Sequence, residues 1–125
     1  MKRISLLSLV LLILGGCASF PPPTERLNTT EGAIRGATEV GAEQIPRAAL
    51  HLKLAQEQTD KARQLMEDDD NEKADQSLRR AQADAELAIA ISRETQAVQK
   101  ADEAEAELQK VRADFMKGPA ATPGR

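Results

Sequence analysis

Few side chains in this sequence are equipped for chemistry, and they do not converge. Cys17 is the only cysteine and His51 the only histidine, so the Cys/His set of a zinc site cannot be assembled. His51 sits between Leu50 and Leu52 at the edge of an apolar seam, which predicts a seam-edge packing role over a general base. Ser77 and Ser92 have no neighbouring base that would activate a hydroxyl. Asp68, Asp70 and Glu72 alternate as in a calcium loop. However, Lys73 stands where that loop needs glycine, and Leu78 and Arg79 where its closing glutamate belongs. Asp69 and Glu72 instead have capping-box spacing, and the acidic run suits the start of a helix. Glu103, Glu105 and Glu107 alternate with alanines, as on a solvated helix face. No glycine-rich phosphate loop is present. The pattern therefore predicts no enzyme, no metal site and no bound cofactor.

Cys17 has a different chemistry available. Lys2 and Arg3 form a short cationic start, and Ile4 to Leu14 follow as an apolar run interrupted only by serine. Eleven residues of helix span only ~16 Å, against ~30 Å of hydrocarbon, so the run is too short to cross a membrane. A cationic start, a short apolar run and small residues before a cut site make a secretory signal. Here the run ends in Leu14-Gly15-Gly16-Cys17, which resembles the lipobox of bacterial lipoproteins. That resemblance implies diacylglycerol on the Cys17 thiol and cleavage after Gly16. Residue 18 is alanine rather than aspartate, which by the same resemblance implies delivery to the periplasmic face of the outer membrane of a Gram-negative cell. Residues 17–23 then form the lipidated N-terminus and a tether stiffened by Pro21-Pro22-Pro23.

Cleavage leaves 109 residues, one small domain's worth. It also removes two cations, leaving 15 Lys+Arg against 20 Asp+Glu, a net charge of −5. That balance disfavours nucleic acid and anionic lipid surfaces as partners. Tryptophan and tyrosine are absent, and the only phenylalanines are Phe20 and Phe115. A core must therefore be built largely from alanine with a few Leu, Ile, Val and Met. Alanine favours helix and close helix approach but buries little area per residue. With one cysteine, no disulfide can brace the fold.

Three helical rhythms are legible in residues 24–116. The first runs over Thr24 to Gly41, with Leu27, Thr30, Ile34 and Ala37 on one face, weakened by Gly32 and Gly36 and stopped by Gly41. The second runs from Pro46, suited to a first turn, to Glu67. Its Ala48, Leu52, Ala55, Thr59, Ala62 and Met66 keep a coiled-coil spacing. The third runs from Asp70 to Met116. Ala74, Leu78, Ala81, Ala85 and Ala88 form one seam, a polar stretch from Ser92 to Gln96 interrupts it, and Ala97, Ala101, Ala104, Leu108, Val111 and Phe115 form a second. The two seams differ in phase, so no single partner helix can follow both. Residues 117–125 read as a disordered tail. The expected fold is all-α: a helical hairpin or bundle plus one long helix, with coiled-coil-like alanine-rich packing.

The first helix with Leu27, Pro46 ahead of Ala48, Ala55 and Ala62, and the acidic turn before Ala74, Ala81, Ala85 and Ala88 together resemble the alanine-rich bacterial envelope proteins grouped as domain of unknown function 4398. Such domains occur as lipoproteins or ahead of peptidoglycan-binding modules. The resemblance implies an envelope setting and carries over no catalytic residue, and the wall-binding role of those modules is not transferred. The expected function is that of an outer-membrane-anchored periplasmic lipoprotein acting as a non-enzymatic interaction or scaffold module. Its partner would be another envelope protein or a second copy of itself. The alternative is a self-assembling coiled-coil lipoprotein that spaces the membrane from the cell wall. If the first helix folds back along the second, the seam from Ala97 to Phe115 is left facing water as the partner-binding surface. If the first helix runs on in line with the second, it covers that seam.

Overall fold

The computed structural model describes residues 20–118. The expected cleavage residues Leu14, Gly15 and Gly16, the lipidation site Cys17 and the tail beyond Gly118 lie outside them. Three α-helices and one 3-10 turn make up the described chain: α1 Thr24–Glu39, the turn Ala42–Gln44, α2 Pro46–Glu67 and α3 Asn71–Lys117. The all-α class is as expected. Three boundaries differ from expectation: α1 ends at Glu39, short of Gly41, and α3 begins one residue after Asp70 and takes in Lys117, the first residue of the expected tail.

The chain runs up, down and up. Ser77 Oγ donates to the Gln58 carbonyl at 2.8 Å, and His51 lies against Asp84, so α2 and α3 are antiparallel. Arg63 of α2 reaches Glu31 of α1 at 2.7 Å. Arg26 meets Asp75 near one end of the bundle, and Gln96 donates to the Val40 carbonyl at 2.8 Å at the other, so α1 runs parallel to α3. The first helix has therefore folded back, and it does not continue in line with α2.

Among the described residues nine of the twelve buried apolar ones are alanines, so the helix axes approach closely and each contact contributes little area. The larger side chains gather at the two ends of the bundle. Near the 3-10 turn, Leu52 and Ile91 pack with Ala37, Ala42, Ala48 and Ala88, flanked by Ile34, Ile45 and Ile89. Near the α2–α3 turn, Leu78 packs with Ala62 and Ala74, flanked by Leu27, Leu65 and Met66. Thr30, Thr59 and Ser92 are buried between and beside these clusters. Each hydroxyl donates to the carbonyl four residues back at 2.8 Å, so each occupies an alanine-sized place without an unmet polar group. The stretch read from the sequence as a polar interruption thus begins inside the core, at Ser92.

The turns follow from their residues. Gly41 adopts φ 76° and receives the end of α1 as expected, its N–H donating to Thr38 O at 2.9 Å. Ile45 is extended and Pro46 opens α2. The acidic turn departs from expectation. Asp69 is left-handed at φ 59°, with its N–H on Met66 O and the Asp70 N–H on Leu65 O. This is a C-terminal Schellman closure of α2 with aspartate in the place usually taken by glycine. Asp69 therefore caps nothing in α3, the flanking residue Asp70 makes no side-chain cap bond, and no capping box with Glu72 forms. Glycine at position 69 removes the left-handed penalty, so Asp69→Gly should stabilise the domain by about 0.5–1 kcal/mol. Thermal unfolding should move up by roughly 3–6 °C, and a lowered midpoint would contradict this account of the turn.

Candidate partner-binding surface

His51 and Ser77 tie helices together, and Ser92 bonds within its own helix. His51 Nδ1 lies 2.9 Å from Asp84 Oδ1, and Gln58 Nε2 donates to Asp84 Oδ2 at 2.7 Å, a tie across the α2–α3 seam. Ser77 donates to backbone, as Ser92 does within its own helix. Glu103, Glu105 and Glu107 are exposed. Among the described residues no group of three or more His, Cys, Asp or Glu side chains is placed to hold a metal ion. No described helix is long and apolar enough to cross a membrane.

A second polar tie joins α1 to α3 across 49 residues of sequence. The Asp75 carboxylate takes Arg26 Nε on one oxygen and Arg79 Nε, at 2.8 Å, on the other. Burial pushes this carboxyl up, but the hydrogen bonds and charges of Arg79 and Arg26 outweigh that, and its pKa is lowered. A carboxylate whose folded pKa lies below the unfolded value of ~3.9 adds stability above that pH and loses it as pH falls through the folded value. Asp75→Asn should therefore cost about 1–2 kcal/mol at pH 7, a figure kept low because Arg79 is largely exposed. The gap between wild type and variant should close as pH drops from about 4 towards 2 in urea titrations. A gap that persists unchanged at pH 2 would place the role of Asp75 in packing rather than charge.

The bundle stops at Gln96, and α3 does not. α2 has 22 residues and spans ~33 Å, whereas α3 has 47 and spans ~70 Å. Every described residue from Gln96 onward is exposed. Ala97, Ala101, Ala104, Leu108, Val111 and Phe115 lie on one face of this projecting half. The structure brings all six together as a single stripe and covers none of them. Leu108 is 56% exposed and Phe115 85%. An apolar stripe left bare on a helix is the usual mark of an interface.

Sequence reading stopped the stripe too soon. Counting back from Ala97 by the same 3-4 spacing gives Glu94, Ala90, Leu87 and Ala83. Ala83, Leu87 and Ala90 are exposed on the back of α3, while Ala81, Ala85 and Ala88 are fully buried on its front. The signal was present in the spacing, but the stronger front seam through the same residues masked it.

The tether approaches from the other end. Pro21 to Pro23 lead into α1 beside Arg26, and together with Asp75 and Gln82 of α3 they line an open groove. The proline run and the projecting stripe thus lie at opposite ends of the long helix.

Neither a curated protein nor a solved structure matches the chain. A family model, Domain of unknown function (DUF4398), matches residues 25–104, which take in the whole bundle and the first half of the projecting stripe. The match covers more than half of the sequence, and the chain belongs to the DUF4398 family.

Proposed function

We propose that this protein is a lipoprotein of the bacterial envelope, anchored through Cys17 to the periplasmic face of the outer membrane, and that it works as a non-enzymatic interaction module. The three-helix bundle is its base and the projecting half of α3 its contact arm. One observation supports this reading above the others: the tether and the projecting half of the bare stripe lie at opposite ends of a continuous ~70 Å helix. An anchor at one end holds the stripe clear of the surface to which the chain is fixed, where a soluble or wall-associated partner can reach it. The lipobox-like Leu14-Gly15-Gly16-Cys17 supplies the anchor chemistry. Each buried acyl methylene contributes about 0.8 kcal/mol, so two or three chains hold the protein where one would not.

The test is Cys17→Ser in the full-length chain. Lipid labelling should vanish and the protein should leave the membrane fraction or remain uncleaved. Lipid labelling equal to that of wild type would overturn the anchoring reading.

A further inference from the structure

We infer that the bare stripe of α3 is the seam of a parallel, in-register homodimer, with a second copy of this chain as its occupant. The inference deepens the interaction-module reading by naming the arm's partner. From Ala83 to Phe115 the exposed stripe keeps an unbroken 4-3 spacing, the period at which two helices wind around each other. Because this stripe lies on the opposite side of α3 from Ala81, Ala85 and Ala88, a second helix can lie along it without displacing α1 or α2.

Charge selects both partner and direction. Flanking the projecting half of the stripe are Lys100, Glu107 and Asp114 on one side and Val98, Glu105 and Arg112 on the other. In a parallel pair, each flanking residue meets the one five positions later on its neighbour. Lys100 then faces Glu105 of the second copy, Glu107 faces Arg112, and two-fold symmetry repeats both pairs, giving four attractive flanking contacts against the single repulsive layer in which Glu94 meets Glu94. All four side chains are exposed, and among the described residues none is engaged in an ion pair within its own chain. An antiparallel copy overlapping the whole projecting half would seat Ala101 on Val111 and Ala104 on Leu108. It would also bring Glu105 against Glu105 and Glu107 against Glu107, which is repulsive at the centre of the seam.

The area fits a dimer that depends on co-anchoring. A stripe of ~50 Å on a helix ~10 Å wide gives about 500 Å² per copy, or about 1,000 Å² in all, at the lower edge for a stable complex. Glu94 is the one charged layer; it weakens the seam where the bundle ends while fixing its register. Anchors in one membrane raise the effective concentration, and a parallel pair places both tethers on the same side.

The test uses the full-length chain in cells, with Ala101→Cys as the probe. In a parallel dimer this residue meets its own copy in the same layer. Mild oxidation should give a disulfide-linked species of twice the chain mass, absent from wild type and from Ala106→Cys on the outer face. Glu107→Arg, added to the probe, should cut that species about tenfold by replacing two attractions with two repulsions, and adding Arg112→Glu should restore it. Crosslinking only when Ala101→Cys is mixed with Val111→Cys would overturn the parallel arrangement. Ala101→Cys joined to a different envelope protein, with no dimer, would overturn the inference and leave the interaction-module reading intact. No crosslinked product of either kind would overturn the inference and remove the arm from that reading.

Discussion

Leu78→Ala should destabilise the domain by about 3 kcal/mol, the largest loss expected from any single truncation in it. Among the described residues Leu78 is the only leucine with no solvent exposure, and it fills the end of the bundle that also holds the Arg26–Asp75 tie. Truncating a buried leucine costs 2–5 kcal/mol, the spread reflecting how far the site collapses. Leu27, Leu65 and Met66 border this cluster and are only half-buried, so they can settle partway into the space. Methionine in particular fills irregular gaps, which places the expected loss near the middle of the range. A domain of this size has about 5–15 kcal/mol in total, and the buried neighbours of Leu78 in this cluster, Ala62 and Ala74, are both alanines. The melting temperature should fall by roughly 12–20 °C. Leu50→Ala, at an exposed position on α2, serves as the comparison and should shift it little. A loss below about 1 kcal/mol at position 78 would mean that the alanine contacts, not the leucine clusters, dominate stability.

The same physics explains what could be read in advance. The rhythm from Ala48 to Met66 was legible because only the side facing α1 and α3 admits small apolar groups, and Ala48, Leu52, Ala55, Thr59 and Ala62 are indeed the buried set of α2. Pro46 and Gly41 were legible because each has a backbone preference that serves one position in a turn. Asp69 was misassigned because aspartate serves equally as an N-cap and as a tolerated left-handed residue, and only the neighbouring carbonyls decide. Ser92 was misassigned because a hydroxyl bonded to its own helix packs like a slightly larger alanine.

Longer-range facts had no local signature. Arg26 is one of many arginines in the sequence, and nothing near it points to Asp75. The direction taken by α1 depended on the geometry of the 3-10 turn and on Gln96 reaching Val40, neither of which leaves a periodic trace. Yet that direction decides whether the far seam of α3 is core or surface. The two-residue shift in phase, about 200° around the helix, did hold the answer in part, since a seam that leaves the bundle's face has no neighbour within the same chain.

Leu108→Glu combined with Phe115→Glu therefore has the opposite expected outcome to Leu78→Ala. Both residues are large and apolar, and in a compact helical domain two such replacements with glutamate would ordinarily unfold it. Here neither touches the bundle, which ends at Gln96, and glutamate is a good helix former. The melting temperature of the bundle should stay within about 3 °C of wild type, as expected for surface substitutions, with the far-ultraviolet helical signal largely preserved. Assembly should respond in full. Burying even one unpaired carboxylate in an apolar seam costs several kcal/mol, so a two-fold seam taking four of them should lose association by more than a hundredfold. Sedimentation or crosslinking of the double variant should show monomer at every concentration at which wild type associates. If the double variant instead melts like Leu78→Ala, the far half of α3 belongs to the core of the folded unit, and the arm has no free surface to offer.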